Sequence, residues 1–424
     1  MANTVRKNQK RKQKKRQDKR IENLAKEMKL EEQKEIERKA QYDKNRHKNL
    51  QQQYQERLKQ SMEQDDFHPM GVVNYIADRN GCGYFRCIWP FELLATYKNM
   101  ITMYSYAHLY EPSYLKGTQI IRFQRQATVE QKQAWDMYRN LRDQYGFKYK
   151  LQYEIDDYLM GIEPSNAVAY QYFNQERKDC HMHMLNTSDK ITFSTEALKN
   201  VYVERHGIPE EKISVIRNTV PQFMYNLPPR MKPNEFSPQR KPRIFWSGSA
   251  SHVGKGGDID FLVEMIKSTV NEYQWVFQGT IPDELKPNVA SKQIEFIPWC
   301  PTYGLANIQF YVARPDICIA PLKPSLFNTC KSDLKLLEYS ALGAPCITTS
   351  FLSTDIGKSP YEDTSEICLD PDPDIWKAAI DHLVQDPDYY MSCVKKGYTH
   401  LNSRWMENAV DAWLDGIGYE LPPS

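Results

Sequence analysis

Short apolar runs alternate with longer segments of mixed polarity through most of the chain, from about residue 67 onward. An apolar run of a few residues is typical of a buried strand, and apolar residues spaced three and four apart are typical of a helix. These patterns predict strands at 71–77, 120–124, 148–155, 190–194, 213–217, 243–246, 273–278, 294–298, 317–321, 345–348 and 366–369. They predict helices at 91–99, 129–145, 196–205, 258–269, 332–342, 373–385, 387–398 and 403–413. Because strands and helices alternate, we expect an α/β protein with parallel, doubly wound sheets.

A proline-rich stretch at 226–242 divides this alternating pattern into two halves. The first half covers 67–225 and the second covers 243–400, and each has the alternation of a Rossmann-like domain. We expect the two domains to face a cleft, because ligands bind at the carboxyl ends of the strands in such sheets. Residues 1–66 are predicted to be a basic, low-complexity arm, and 401–424 a C-terminal helix that returns toward the first domain.

Charge is distributed unevenly, although the net charge of the whole chain is only +2. Residues 1–20 carry ten Lys or Arg and one acidic residue, a net charge of +9, whereas residues 21–66 carry a net charge of −1 and the rest −6. The arm lacks Gly and Pro, so we expect it to be partly helical and disordered at its tip. The residues predicted to bind a polyanion are Lys10, Arg11, Lys12, Lys14, Lys15 and Arg16. DNA, RNA or an anionic membrane surface are candidate partners, and a tail that only increases solubility is the alternative.

Several classes of protein are disfavoured by what the sequence lacks. We find no apolar run of the roughly 20 residues that cross a bilayer, and no signal peptide is expected. The nine cysteines are scattered, without the paired spacing of a zinc site, and Cys180, His181 and His183 lack a fourth ligand. We therefore expect no bound metal and a cytoplasmic protein with reduced thiols.

The stretch 328–347 carries the strongest chemical signal. A polar loop precedes a predicted helix, and Lys331, Ser332 and Lys335 lie around the start of that helix. Cations and free backbone N–H groups at a helix N-terminus bind phosphates, and here they would stabilise the charge of a leaving diphosphate. Glu338 lies one turn after Lys335 and can accept hydrogen bonds from ribose hydroxyls. The alternatives are solvated helix charges and a structural ion pair.

A second candidate phosphate-binding segment follows the first strand of the second domain. Gly248 and Ser249 form a loop that lets the backbone approach a diphosphate closely, and His252 and Lys255 are further candidates for phosphate contact. An ordinary tight turn with a structural histidine is the alternative.

The first domain contributes two candidate segments to the cleft. One is the glycine-containing loop with Gly83 and Arg86, predicted to contact acceptor or diphosphate, or else to serve turn geometry alone. The other is Asp156 and Asp157, which end a predicted strand. Acceptor positioning or capping of the following turn is favoured for the aspartates over metal binding.

The order of these motifs resembles that of GT-B glycosyltransferases, particularly retaining enzymes of the family-4 type. The resemblance covers about 70–415 and is carried by 244–252 with Asp258, by 316–321, by 328–343 and by 213–218. It implies that Arg86, Lys331 and Lys335 are catalytic, and it adds Asn328 to the donor-binding residues.

The chain departs from the family pattern at one position. The usual signature has two glutamates with seven residues between them; Glu338 matches the second, but Cys330 stands at the first. Divergent members carry a Lys-Ser-x-x-Lys-x-x-Glu arrangement, which matches Lys331, Ser332, Lys335 and Glu338. Since the first glutamate of the family lies near the sugar, its absence leaves the donor sugar open.

The predicted function is therefore transfer of a sugar from a UDP- or GDP-linked donor to an acceptor hydroxyl, without a cofactor. The resemblance implies retention of the anomeric configuration, and the two lysines would make a metal unnecessary. Some tailed phages glycosylate hydroxymethylated cytosine in their DNA with GT-B enzymes, and the basic arm favours this acceptor, which would imply the host cytoplasm. A surface polysaccharide or lipopolysaccharide transferase, with the arm on an anionic membrane, is one alternative. A catalytically inactive GT-B protein that binds polyanions is the other.

Overall fold

In the computed structural model of this chain, the described residues are 71–108, 115, 118–164, 166–225, 240–300 and 302–418, with single positions between 34 and 56. The chain divides into two compact units, Met1–Gln60 and Ser61–Ser424. In the first unit, the described positions are helical and exposed, and the amide of Gln41 donates to Asn45 Oδ1 at 3.2 Å, one turn later. The predicted polyanion-binding residues between 10 and 16 lie outside the described residues. The second unit contains both predicted domains.

A six-stranded sheet forms the core of the first domain. Its strands are β1 (Gly71–Tyr75), β2 (Ile101–Ser105), β3 (Thr118–Gln124), β4 (Lys150–Ile155), β5 (Lys190–Phe193) and β6 (Ile213–Val215). They lie in the order β2-β1-β3-β4-β5-β6, and every neighbouring pair is parallel. The sequence analysis missed β2, whose five residues include polar ones that are half-buried. The order reverses between β1 and β3, which leaves a crevice at the carboxyl ends of these strands.

The described helices of the first domain are α1 (Trp89–Lys98), α2 (Val129–Tyr145), α3 (Ala167–Tyr172), α4 (Gln175–Thr187), α5 (Glu196–His206) and α6 (Gln222–Tyr225). Of these, α1, α2 and α5 lie close to the predicted helices at 91–99, 129–145 and 196–205, whereas no bounds were predicted for the other three. A short helical turn, Gly81–Gly83, and a π-helical stretch, Tyr84–Ile88, lead directly into α1. Helix α2 begins where predicted because Thr128 and Gln131 form a reciprocal capping box.

A second six-stranded parallel sheet forms the core of the second domain. Its strands are β7 (Arg243–Gly248), β8 (Gln274–Gly279), β9 (Ile294–Pro298), β10 (Ile317–Ala320), β11 (Cys346–Thr349) and β14 (Ile367–Leu369), in the order β14-β11-β10-β7-β8-β9. A small antiparallel hairpin is made by β12 (Leu352–Ser353) and β13 (Gly357–Lys358). The order reverses between β7 and β10, so the carboxyl ends of these two strands flank the expected ligand site.

Helices cover both faces of this sheet. They are α7 (Val263–Thr269), α8 (Lys286–Ala290), α9 (Tyr303–Ala313), α10 (Leu326–Thr329), α11 (Leu334–Ala341), α12 (Pro373–Gln385) and α13 (Pro387–Asn402). The helix that follows, α14 (Val410–Ile417), packs on the first domain. Along β10, Ile317 and Ile319 pack into one apolar cluster, whereas Cys318 and Ala320 pack into another on the opposite face. Burial on both faces explains why the strands are continuous apolar runs rather than alternating ones.

Some predicted boundaries of the second domain are wrong. Helix α7 begins at Val263, after a 3-10 turn at Asp260–Leu262, and not at residue 258. Helix α9 was not predicted at all. Most of the predicted linker, 226–239, lies outside the described residues; after it, the guanidinium of Arg240 pairs with the buried carboxylate of Asp316 at 2.8 Å.

The chain returns to the first domain after α13. Trp413 and Ile417 of α14 belong to the same apolar cluster as Phe91 of α1. The amide of Gln152, on β4, donates to the backbone carbonyl of Ile417 at 2.6 Å. Because α14 packs on the first sheet while α13 packs on α11, the C-terminal segment ties the two domains together.

Taken together, these observations confirm the predicted fold class of two parallel-sheet α/β domains. None of the helices in the described part of the chain combines the length and the apolar character that a membrane span requires.

Candidate active site

A cavity of about 550 Å³ lies between the two domains, at the carboxyl ends of both sheets. Its second-domain wall is formed by the loop after β7, by the loop after β10 and by the start of α11. Its first-domain wall is formed by the loop after β1 and by the ends of β3 and β4. The predicted site residues that line it are Arg86, Asp156, Asp157, Gly248, Ser249, His252, Asn328, Lys331, Ser332, Lys335 and Glu338. The structure thus brings together residues that are up to 252 positions apart, from Arg86 to Glu338.

Two glycines on neighbouring strands let the backbone form this wall. Gly279, at the end of β8, has φ +93°, and a Cβ on it would lie 2.5 Å from the carbonyl oxygen of Gly248. A Cβ on Gly248 would lie 2.5 Å from the ring of Trp246. A larger residue at either position would push the strand ends apart, so the glycines serve close approach of the backbone. Beyond them, the hydroxyls of Ser249 and Ser251 are 2.7 Å apart.

Asp258 organises the polar side chains of the second-domain wall. One carboxylate oxygen lies 2.6 Å from Nδ1 of His252, and the other accepts from the amide of Asn328 at 2.7 Å and from the backbone N–H of Lys323 at 2.9 Å. Burial alone would raise the pKa of Asp258, but the hydrogen bond and charge of His252 and the charge of Lys331 bring that pKa below its usual range.

This arrangement bears on two predicted donor-binding residues. With Nδ1 of His252 engaged by Asp258, Nε2 is the ring nitrogen left for a ligand. Asn328 is almost fully buried, and its amide also donates to the backbone carbonyl of Lys323 at 2.9 Å. It therefore holds the loop in shape. Asp258 was part of a recognised sequence motif but was not among the predicted site residues.

The two lysines lie at the start of α11, which begins at Leu334, two residues later than predicted. Nζ of Lys335 donates to the hydroxyl of Ser247 at 2.7 Å, next to the glycine loop. Burial, together with the nearby charge of Lys331, lowers the pKa of Lys335 to about 8. Nζ of Lys331 lies 3.8 Å from a carboxylate oxygen of Asp157, on the opposite wall. The ammonium groups of Lys331 and Lys335 thus lie beside the glycine loop after β7. Neither group forms a close ion pair with a described carboxylate.

Glu338 is 3% exposed and lies one turn further along α11. The hydroxyl of Tyr225 donates to its Oε1 at 3.3 Å, and the hydroxyl of Tyr303 donates to the same oxygen. Burial raises the pKa of Glu338 to about 8, although the hydrogen bond from Tyr225 opposes this. Neither tyrosine was predicted. Tyr303 lies on the missed helix α9, and Tyr225 ends α6, so no local pattern pointed to them.

Arg86 lies beneath the first-domain wall and is completely buried. Its Nε donates to Glu154 at 2.6 Å and its Nη1 donates to Asn218 at 3.0 Å, whereas its Nη2 has no hydrogen-bond partner among the described residues. Arg122 pairs with the other carboxylate oxygen of Glu154 at 2.7 Å. These contacts give Arg86 a structural role, and its predicted catalytic role stays a prediction.

Asn218 connects the two domains at the edge of the cavity. Its Oδ1 accepts from Arg86, and its Nδ2 donates to the hydroxyl of Ser332 at 2.7 Å. Its backbone carbonyl accepts from Arg404, which also pairs with Asp333 at 3.0 Å, just before α11. Sequence analysis found the segment 213–218 only as a motif and did not assign this residue to the site.

The predicted aspartate pair lies on the first-domain wall opposite the lysines. Nη1 of Arg125 lies 3.2 Å from Asp156 and 3.4 Å from Asp157. Burial raises the pKa of Asp156, but the charge of Arg125 and a hydrogen bond from Cys82 more than offset this, so its pKa is lowered. Among the described residues, no group of three or more His, Cys, Asp or Glu side chains is arranged to hold a metal ion.

Two predicted residues are not among those that line the cavity. Lys255 is exposed at the far side of its loop, whereas its neighbours from Ser247 to Asp258 form the wall. Gly83 is packed so closely that a Cβ would lie 1.9 Å from the carbonyl oxygen of Asp78. Lys255 is thus exposed to solvent and Gly83 allows close helix packing, and ligand contact by either residue stays a prediction.

Cys330, at the position of the missing glutamate, is fully buried and does not line the cavity either. Its backbone carbonyl accepts from the hydroxyl of Thr195 at 2.8 Å, and burial raises its pKa to about 12. The thiol therefore does not replace the carboxylate at the sugar.

Comparisons with known proteins agree with this architecture. No family model matches the chain. One curated protein, "Putative teichuronic acid biosynthesis glycosyltransferase TuaH" of Bacillus subtilis (strain 168), is 26% identical over 192 residues. That match covers 43% of this chain and 46% of TuaH, so it spans about half the length of the relative.

Solved structures match over most of the chain, at low sequence identity. HepE of Anabaena in complex with UDP-glucose has a TM-score of 0.53 at 10% identity, covering 82% of this chain and 99% of HepE. A glycosyltransferase from Rickettsia africae ESF-5 has a TM-score of 0.51 at 14% identity, covering 83% of this chain and 98% of that protein. The two-domain unit of this chain therefore has the fold of the GT-B glycosyltransferases.

Proposed function

We propose that this protein is a glycosyltransferase that moves a sugar from a nucleotide diphosphate donor to an acceptor hydroxyl. The observation that carries the proposal is the second-domain wall, where Lys331, Lys335 and the glycine loop at Gly248 surround one end of a cavity of about 550 Å³. This is the chemistry that a pyrophosphate needs. HepE, which shares the fold, is described in complexes with UDP and with UDP-glucose, and the curated relative is named as a glycosyltransferase.

We assign the parts of the donor to named side chains. The pyrophosphate lies between Lys331, Lys335 and Nε2 of His252, while the ribose lies against Glu338. Trp299 follows β9 beside Gly279, lines the cavity and is 53% exposed, so its ring offers a face for the base. The sugar then extends toward Asp156 and Asp157 on the opposite wall.

The lysines would stabilise the leaving diphosphate. When the bond from the sugar to the phosphate breaks, negative charge grows on the phosphate oxygen, and ammonium groups already at that oxygen lower the barrier. A bound phosphate would also raise the pKa of Lys335 from about 8, so the lysine is fully protonated in the complex. We propose that this pair makes a metal unnecessary.

The sugar-binding end differs from the family pattern. Because Cys330 is buried away from the cavity, the carboxylates that can accept hydrogen bonds from the sugar hydroxyls are those of the first domain. We assign this role to Asp157, which already lies 3.8 Å from Lys331 across the cleft. Retention of the anomeric configuration is proposed on the family resemblance alone.

For the acceptor, we favour a surface polysaccharide, because the curated relative is named for teichuronic acid biosynthesis. Hydroxymethylated cytosine in phage DNA is the second candidate, and the net charge of +9 on residues 1–20 favours it. We assign the reaction to the cytoplasm, since all nine cysteines are unpaired.

A transfer assay tests the proposal directly. The full chain is incubated with UDP- and GDP-sugars and with acidic oligosaccharides, hydroxymethylcytosine DNA or plain DNA, and the products are read by mass spectrometry. We expect one donor to yield a glycosylated product, and Lys331→Ala/Lys335→Ala to abolish it while the matched variant Lys267→Ala/Lys286→Ala does not. If calorimetry finds binding of nucleotide sugar without transfer, the catalytically inactive alternative is correct; if it finds no binding, the assignment of the cavity is wrong.

A further inference from the structure

A second cavity, of about 510 Å³, opens at the amino-terminal edge of the first sheet. Lys150, the first residue of β4, and Lys190, the first residue of β5, both line it. The cleft lies at the other end of the same strands, where Asp156 follows β4. Because β4 has six residues and a strand rises about 3.3 Å per residue, about 20 Å separates the two cavities.

This second cavity, called the basic cavity below, has an excess of positive charge. The basic residues among those that line it are Arg142, Lys148, Lys150 and Lys190, and the acidic ones are Asp189 and Glu211. The guanidinium of Arg142 is paired with Asp189 at 2.5 Å. Asp189 also accepts from the backbone N–H of Leu151 at 2.7 Å, so its charge is already engaged. Three lysines therefore remain against one exposed glutamate.

The strand register brings two of these lysines to the same face of the sheet. Lys190 is paired with Gln152 across the β4–β5 ladder, and Lys150 lies two residues before Gln152 on β4. Side chains two residues apart on a strand point to the same face. The ammonium group of Lys190 has one long hydrogen bond, 3.4 Å to the carbonyl oxygen of Asp415. Burial and then the charge of Lys150 lower the pKa of Lys190.

An anion bound in the basic cavity would reduce the repulsion between the neighbouring ammonium groups. It would neutralise ammonium groups that the fold holds near one another, and it would meet no opposing wall of carboxylates, since the one engaged carboxylate is tied to Arg142. The cavity is a local depression in a part of the chain whose net charge, outside the first 66 residues, is −6. A broad duplex footprint requires an extended basic surface, so this local excess fits single anionic groups spaced along a flexible chain.

We propose that the basic cavity binds the negatively charged groups of an acidic polysaccharide acceptor, about 20 Å from the reacting end in the cleft. This inference rests on the proposed function, because it assumes that the polymer is the substrate. Carboxylate and phosphate groups share the chemistry that lysines recognise, and either can be carried by such a chain. The cavity would then hold the polymer while its end enters the cleft, which favours long acceptors over short ones.

Binding of defined probes to Lys150→Gln/Lys190→Gln tests this proposal. The probes are an oligogalacturonate of eight units, a neutral maltooligosaccharide of the same length, tripolyphosphate and a 20-base-pair DNA duplex, all at low ionic strength. We expect the parent protein to bind the oligogalacturonate or the tripolyphosphate, and the variant to lose at least about tenfold in that affinity. The control Lys267→Gln/Lys286→Gln removes the same charge elsewhere and is expected to change the affinity less than about twofold.

Each result decides the matter. The two anionic probes tell a carboxylate preference from a phosphate preference. Unchanged affinity in the variant, equal loss in the control, or binding of the duplex alone overturns the proposal, and the last result assigns the cavity to DNA. UDP binding is measured on the same samples. If the parent protein does not bind UDP, the proposed function is wrong, whereas the result with the anionic probes still stands. Because Lys150 is exposed, the single variant Lys150→Gln is expected to fold normally. We expect it to lose less affinity for the anionic probe than the double variant.

Discussion

The two walls of the cleft use charge in opposite ways. On the first-domain wall, the buried charged groups are paired within the protein: Glu154 pairs with both Arg86 and Arg122, and Asp156 pairs with Arg125. On the second-domain wall, among the described residues, Lys335 donates to a hydroxyl and the nearest carboxylate to Lys331 is 3.8 Å away. A group that the fold has satisfied contributes to stability, whereas a group that the fold leaves poorly satisfied is available to a ligand. The contrast predicts which substitutions unfold the protein and which disable it.

The largest effect is expected from Glu154→Gln. It leaves the guanidinium groups of Arg86 and Arg122 buried without a carboxylate, and removing one partner of a buried ion pair costs about 3–5 kcal/mol. Urea unfolding measures the loss, with Glu264→Gln, which breaks an exposed pair on α7, as the control. A loss below about 1 kcal/mol would show that the first-domain wall is not a stability element.

A comparable effect, but on activity, is expected from Lys335→Met. Removal of one group that stabilises a developing anion lowers kcat by about 10²–10³. Stability should be unchanged or higher, because the fold already disfavours the charge of Lys335 and lowers its pKa to about 8. Steady-state kinetics and thermal unfolding of the same sample separate the two quantities. If the variant unfolds as readily as Glu154→Gln, the two walls do not differ as argued.

A smaller effect is expected from Gly279→Ala. An alanine there has to accept φ +93° and a Cβ that lies 2.5 Å from the carbonyl oxygen of Gly248, which costs about 1–3 kcal/mol. Because the strain falls on the loop that we propose as the pyrophosphate site, UDP affinity should fall too. Gly146→Ala is the matched control: its φ is +65° but no atom lies within 4 Å of the new Cβ. Equal effects of both substitutions on UDP affinity would rule out the close approach as the reason for Gly279.

The smallest effect concerns pH. The pKa of Lys335 is lowered to about 8, so in the empty protein the ammonium loses its proton as the pH rises above that value. A bound phosphate requires the proton back, and each pH unit above about 8 should therefore lower UDP affinity by up to about tenfold. Calorimetry between pH 7 and pH 10 measures this slope. In Lys335→Met the slope should become shallower, and the part that remains belongs to Glu338, whose pKa is also about 8; an unchanged slope would assign the titration to a group other than Lys335.

Much of the fold followed from local patterns. Helix α2 and strand β9 lie where the sequence pattern predicted them, because a capping box and a short, mostly apolar run act over a few residues. Strand β2 and helix α9 were missed. Strand β2 is short and contains polar residues. Helix α9 starts shortly after the Trp-Cys-Pro segment at 299–301, where no helix was predicted. In neither segment does the spacing of apolar residues alone indicate a strand or a helix.

The candidate site shows the same division. Lys331, Lys335 and Glu338 were found because they are close in the sequence: Lys331 precedes α11, and Lys335 and Glu338 lie one turn apart on it. Asp258, Asn218, Tyr225 and Tyr303 act through partners between 35 and 132 positions away, such as Asn328, Arg86 and Glu338. Contacts of that separation leave no periodic trace in the chain, so they had to be seen in three dimensions.

What the sequence determined by itself is therefore the parallel α/β class, the division into two domains and the clustering of cations around Lys331, whose binding of phosphate stays a prediction. Hydrophobic periodicity and turn chemistry are local, so they can be read residue by residue. Only the tertiary structure decided which charges are neutralised by protein and which face the cavity. It removed Lys255 and Gly83 from the wall, buried Cys330 and tied Arg86 to Glu154. Burial and pairing depend on what packs against a side chain, and the neighbours that matter come from distant parts of the chain.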